Sequence, residues 1–161
     1  MAMTINTDGI EELGAMLQKL GDKAGDAASA GLYEGAGIVG DAYTGAIGKI
    51  KTEPFRYATG GKKRLPSPEE KAALAGKSGI AKFRKSLDSV DTVIGISGAA
   101  GYAQVAGKSK AVRLIARSIN SGTSFMNKQP VFRQAVSRSQ GAAKGAIVAK
   151  AEEMLNEIIK G

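Results

Sequence analysis

The segment Asp91-Thr92-Val93-Ile94-Gly95-Ile96-Ser97 is the clearest strand in the chain. Its β-branched residues suit a pleated, half-buried surface, and Val93 is followed by Ile94 and Ile96. The longer patterns around it have helical spacing. This short run therefore separates an α+β reading from an all-helical one. Residues 99–105 supply a pairing partner for it, with Gly98 and Gly101 near the turn. Residues 79–87 read either as a further strand or as one or two helical turns.

Toward the N-terminus, Asp8 reads as an N-cap, with Glu11 and Glu12 in the first turn where they suit the helix dipole. Ile10, Leu13, Leu17 and Leu20 follow at helical spacing, and Gly21 reads as the stop. A second helix opens at Asp22 or Lys23. Its apolar stripe is Ala28, Leu32, Ala36, Val39, Tyr43, Ala46, Ile47 and Ile50. Glycines at 25, 31, 35, 37, 40, 45 and 48 oppose it, each costing about 0.5–1 kcal/mol relative to Ala. A helix that keeps them needs a neighbour whose backbone comes close; the alternative is a broken helix.

Beyond the strand, Val112, Ile115 and Ile119, with Leu114 beside them, predict a short helix over 111–119. Asn120-Ser121-Gly122-Thr123 reads as a turn. Pro130 stands at the N1 position of a last, long helix. Phe132, Ala135, Val136, Ala143, Ala146, Ile147, Met154, Leu155 and Ile158 form its stripe, with Gly141 or Gly145 as a place to kink. The expected order is helix, helix, loop, small antiparallel sheet, short helix, long helix, all in one domain spanning 1–161.

Residues 51–78 differ in character. They hold three of the four prolines and the Lys62-Lys63-Arg64 cluster, and one helical turn fits at 68–74. Loops this long are usually functional or disordered, so a segment that orders against a partner is expected. Charge is divided along the chain. Residues 1–50 carry a net of −4, residues 51–140 a net of +12, and residues 141–161 balance, giving +8 overall. Such a division favours an oriented partner. Residues 1–8 lack a signal-peptide pattern and no apolar run approaches a membrane span, so a soluble chain without a membrane partner is expected.

Composition excludes much chemistry. The chain has no Cys and no His, which removes disulfides, thiol nucleophiles, Cys-based zinc sites and the commonest general base. The adjacent acids Glu11-Glu12, Glu69-Glu70 and Glu152-Glu153 read as solvated helix faces. Gly107-Lys108-Ser109 lacks the earlier glycine of a Walker loop, because position 103 is Ala. No enzyme and no cofactor are expected. One binding reading stands: Arg56, Lys62, Lys63, Arg64, Lys82, Arg84 and Lys85 lie near Phe55, Tyr57 and Phe83, and cations interleaved with aromatics suit a stand-alone nucleic-acid-binding protein.

The run Ile115 to Thr123, followed by Gln129-Pro130-Val131-Phe132-Arg133-Gln134-Ala135-Val136, resembles the head–tail joining proteins of long-tailed bacteriophages, the tail completion or neck family. Gly122-Thr123 matches the family's Gly-Thr, and Pro130, Phe132, Arg133 and Ala135 approximate its Pro-Phe-x-Arg-x-Ala, with Phe132 displaced by one. Gly9 to Leu13 is similar to its opening helix, and Gly79 to Leu87, with Lys85-Ser86 before the strand, is the nearest match to its segment leading into the sheet. The chain departs from the family in having Asn120-Ser121 before Gly-Thr and a longer, more basic 51–78 segment.

The resemblance implies a structural virion protein in a ring of six, or of twelve, at the head–tail junction. Its implied partners are copies of itself, head connector or stopper proteins, a tail terminator or tail tube protein, and phage DNA in the bore. Under that implication Lys62, Lys63 and Arg64 meet an acidic neighbour or the DNA. Gly122 and Thr123 turn the chain beneath the last helix. Pro130, Phe132 and Arg133 anchor that helix, with Phe132 in the core or in a groove between subunits.

Overall fold

The structure, a computed structural model, describes residues 10–82, 84–85, 90–96 and 100–160. The protein is α+β. Its elements are α1 (Ile10–Gly48), α2 (Pro68–Ala72), β1 (Ser78–Ile80), β2 (Arg84–Lys85), β3 (Val90–Asp91), β4 (Ile94–Ile96), β5 (Tyr102–Val105), β6 (Lys108–Ala111), α3 (Val112–Ser121) and α4 (Val131–Lys160). The expected N-cap Asp8, and Ser86, lie outside the described residues.

The two N-terminal helical patterns run on as one helix, so Gly21 is not a stop. A glycine ends a helix by turning left-handed, and Gly21 is not among the residues with positive φ. At about 1.5 Å per residue, α1 is roughly 58 Å long and α4 roughly 45 Å. The two pack antiparallel. Gly31 lies against Ile147 and Ala151, Gly35 against Ala143 and Ile147, and Tyr43 against Phe132.

The expected close approach occurs at two of the glycines. A Cβ on Gly31 would stand 2.6 Å from the Ile147 carbonyl oxygen, and one on Gly35 would overlap the Ile147 side chain and stand 2.9 Å from the Ala143 carbonyl oxygen. Gly25, Gly37, Gly45 and Gly48 face open space. Small residues thus form a seam where the two backbones meet, with Ala27, Ala36 and Ala143 also buried.

The larger core lies where the end of α1 and the start of α4 meet α3 and the sheet elements. It contains Ile47, Ile50, Leu74, Val105, Val112, Ile115, Ile119, Met126 and Phe132. On α3 the expected stripe of Val112, Ile115 and Ile119 is buried, Ala116 is buried with it, and Leu114 is exposed.

Among the described residues the strands form three antiparallel pairs. Of residues 91–97, Asp91 ends β3, which pairs with β2, and Ile94–Ile96 form β4, whose partner is β1, with Ser78 opposite Ile96 and Ile80 opposite Ile94. Of the expected partner, residues 99–105, the stretch Tyr102–Val105 instead pairs with β6. Val105 pairs with Lys108 across Ala106 and Gly107, at φ 50° and 73°. Two consecutive left-handed residues make a tight hairpin, so β5 finds its partner next in sequence.

Candidate interaction surface

The 51–67 segment is bound to the body of the protein, in contrast to the expected loop awaiting a partner. Backbone bonds run from Glu53 N–H to the Pro66 carbonyl (3.0 Å), from Arg64 N–H to the Phe125 carbonyl (2.9 Å) and from Asn127 N–H to the Arg64 carbonyl (2.8 Å). The Glu53 carboxylate accepts the Leu65 N–H at 2.8 Å and pairs with Arg56 Nε at 3.0 Å. Arg56 in turn donates to the Lys63 carbonyl at 3.1 Å. The segment turns at Gly60 and Gly61, both left-handed, where Lys62 N–H closes on the Thr59 carbonyl.

A buried ion pair fixes this segment. Arg64 is only 3 % exposed and Glu70 only 1 %. The guanidinium donates to both oxygens of Glu70, each at 2.6 Å, in the bidentate geometry that arginine favours. Glu70 also closes a capping box. It accepts the Ser67 N–H at 2.9 Å while Ser67 Oγ accepts the Glu70 N–H at 3.2 Å. Lys110 of β6 adds a third charge at 3.1 Å. Burial alone would raise the carboxyl's pKa. The Arg64 fork, the Ser67 amide and Lys110 outweigh it and hold the group at about 2.

Arg64 therefore differs from its neighbours. Lys62 and Lys63 are exposed, whereas the Arg64 charge is engaged inside the protein. Two further contacts tie the segment's ends down. Lys71 Nζ donates to the Gly48 and Ile50 carbonyls at 2.8 and 3.0 Å, satisfying oxygens that the end of α1 leaves free. The Gln129 side-chain amide exchanges two 2.9 Å hydrogen bonds with the Lys51 backbone, pinning the exit of α1 to the approach of α4.

The residues of the Gly-Thr and Pro-Phe resemblance are brought together between α3 and α4. Gly122 caps α3 at φ 75°, its N–H on the Ser118 carbonyl at 2.9 Å. A Cβ there would crowd Lys128 at 3.1 Å, so both backbone and space favour glycine. Thr123 Oγ1 accepts the Met126 N–H at 3.0 Å, which closes the turn. Pro130 stands one position before the expected N1, since its carbonyl accepts the first helical bond, from Gln134 N–H at 3.0 Å. Asn120 Oδ1 accepts the Arg133 N–H at 3.4 Å and serves the helix start that proline leaves without a side-chain cap. The Phe132 ring is in the core, stacked on Tyr43 with centroids 4.4 Å apart; the Arg133 side chain is exposed. Burial raises the Tyr43 hydroxyl above its ordinary pKa.

Two surface features follow from this frame. The first is a groove of about 700 Å³ between the β5–β6 hairpin and α3. Tyr102, Leu114 and Phe125 line it at 75 %, 53 % and 44 % exposure, with Arg113 and Lys110 also on its walls. Its apolar members come from three separate segments, which no local sequence pattern joins. The second is a cleft of about 290 Å³ between residues 55–58 and the β5–β6 turn. There Phe55 and Tyr57 meet edge to face at 5.3 Å. Lys110 lies 5.4 Å from the Phe55 ring centre and Lys108 lies 5.8 Å from that of Tyr57. Lys108 and Lys110 join this cluster through the hairpin. Phe83 lies outside the described residues, and Lys82 and Arg84 are not among the cleft's walls.

No known protein family, curated protein or solved structure matches the chain. Among the described residues, no helix is long and apolar enough to cross a membrane.

Proposed function

We propose that the protein is a structural subunit of a ring at the head–tail junction of a long-tailed bacteriophage, joining the capsid connector to the tail tube. The observation that carries this reading is the run from Ile115 to Val136. Its Gly-Thr and Pro-x-Phe-Arg-x-Ala features, in family order, form one helix–turn–helix unit held by Gly122, Thr123 and Asn120. The groove beside that unit adds support. Contiguous exposed apolar surface marks interaction sites, and a ring subunit needs such a surface on each flank. Its basic walls are complementary to an acidic first third of the chain in the next subunit.

The test is joining in vitro. Heads and tails from a phage lacking this gene should remain separate, and the purified protein should restore complete particles. The gene should also lie among those for the portal, major capsid and tail tube proteins. Complete particles formed without the protein would overturn the reading.

A further inference from the structure

The cleft between residues 55–58 and the β5–β6 turn carries an inference that does not depend on the ring. It sets an exposed aromatic ring among cations that belong to different segments. Tyr57 is 65 % exposed, with Lys108 near its ring and the Phe55 ring perpendicular to it. Lys62 and Lys63 are exposed on the same segment. Lys63 is held beside the cleft because its carbonyl accepts from Arg56, one of the cleft's walls.

Counting charges narrows the partner. Arg56 is paired with Glu53, and Arg64 is paired with Glu70, which Lys110 also reaches. Glu69 accepts the Ala106 N–H at 2.9 Å near the same turn. Among the described residues, Lys62, Lys63 and Lys108 remain as exposed cations with no acidic side chain in ion-pair contact. A polyanion with evenly spaced charges would meet all three. An acidic peptide would use the lysines but has no general use for the Tyr57 ring. A nucleobase does, because every base has a face that stacks on an aromatic side chain. In a duplex that face is covered by the neighbouring pairs.

We propose that this cleft binds single-stranded nucleic acid, with phosphates on Lys62, Lys63 and Lys108 and a base stacked on Tyr57. The binding is not sequence-specific, since stacking and phosphate contacts read no base edge.

The experiment is fluorescence anisotropy with the full chain and a labelled oligothymidylate of about 15 nucleotides. Three phosphate contacts at roughly 0.7 each predict a log–log salt slope near −2. Replacing Lys62 and Lys63 with Gln should flatten that slope by about 1.4. Tyr57→Ala should weaken binding roughly tenfold without changing the slope, and Tyr57→Trp should retain it. All three side chains are exposed, so these variants should keep the wild-type circular dichroism and melting temperature.

Lys144→Gln with Lys160→Gln, which removes the same charge from α4, should leave binding unchanged. Loss of affinity in this variant equal to that of the Lys62/Lys63 variant would reduce the effect to net charge and overturn the site. Wild-type binding by Tyr57→Ala would also overturn it, as would a duplex binding as tightly as the single strand. Displacement of the oligonucleotide by polyglutamate of equal charge at equal concentration would replace the proposal with an acidic protein partner. None of these results bears on head–tail joining, which is read separately.

Discussion

Glu70 shows how one side chain can organise a segment that otherwise reads as loop. It receives Arg64, Lys110 and the Ser67 amide, and so ties residues 64–67 to α2 and to β6. Removing one member of a buried pair leaves the other charge stranded, so Glu70→Gln should cost about 3 kcal/mol in urea unfolding at neutral pH. The pH dependence follows from the depressed pKa. The carboxyl ionises near 4.5 when unfolded and at about 2 when folded, so its contribution is complete above pH 4.5 and declines as the pH falls toward 2. Wild type should therefore lose on the order of 3 kcal/mol over that window, and Glu70→Gln should lose much less of it. Equal acid sensitivity in the two proteins would show that Glu70 does not anchor the segment. Sequence alone conceals this residue for a definite reason. Lys62-Lys63-Arg64 is a run of like charge and Glu69-Glu70 a pair of acids, and both patterns ordinarily face water. Which member of each turns inward depends on backbone direction, set here by the bond from Arg64 N–H to the Phe125 carbonyl sixty-one positions away.

Among the elements, the α1–α4 pair makes the distinction between glycines testable. Gly35→Ala must displace Ile147 or part the helices, at a cost of about 1–3 kcal/mol. Gly25→Ala and Gly45→Ala put a methyl group into open space on exposed helical positions. Each should stabilise the protein by about 0.5–1 kcal/mol. Thermal unfolding of the three variants reads the difference directly, and a Gly35→Ala protein as stable as wild type would deny the seam. The excess of glycine in residues 22–50 does signal close packing from sequence. It cannot identify Gly31 and Gly35, because only the surface of α4 separates them from the rest. The short α3 and the long α4 were legible, since their stripes repeat at 3.6 residues. The hairpin was not. Its turn is Ala106-Gly107 in place of the Asn-Gly that marks such turns, and Ala106 bears φ 50° without the tolerance of Asn. Ala106→Asn should accordingly stabilise the hairpin by about 0.5–1 kcal/mol, measured by the same melts.

For the whole molecule, the core end presents two surfaces of different chemistry: the apolar groove along α3 and the cationic cleft at the β5–β6 turn. They share Lys110 and Phe125, so they adjoin, yet each has exposed residues of its own. That separation lets the proposed assembly and the proposed nucleic-acid binding be tested apart. Leu114 lies in the groove at 53 % exposure on the outer face of α3, so Leu114→Asp should alter stability by less than about 1 kcal/mol. In a ring, the same carboxylate would be buried against an apolar neighbour, at several kcal/mol per interface repeated around the circle. Native mass spectrometry should therefore find Leu114→Asp as a folded monomer under conditions where the wild type forms rings, and head–tail joining should fail. The protein with both Lys62→Ala and Lys63→Ala should give the opposite result, with rings intact and oligonucleotide binding weakened. Arg64 must be left in place in that experiment, because its removal would unseat Glu70 and test folding instead. If Leu114→Asp assembles and joins heads to tails as wild type does, the groove is not the contact between subunits, and the ring must close through another face.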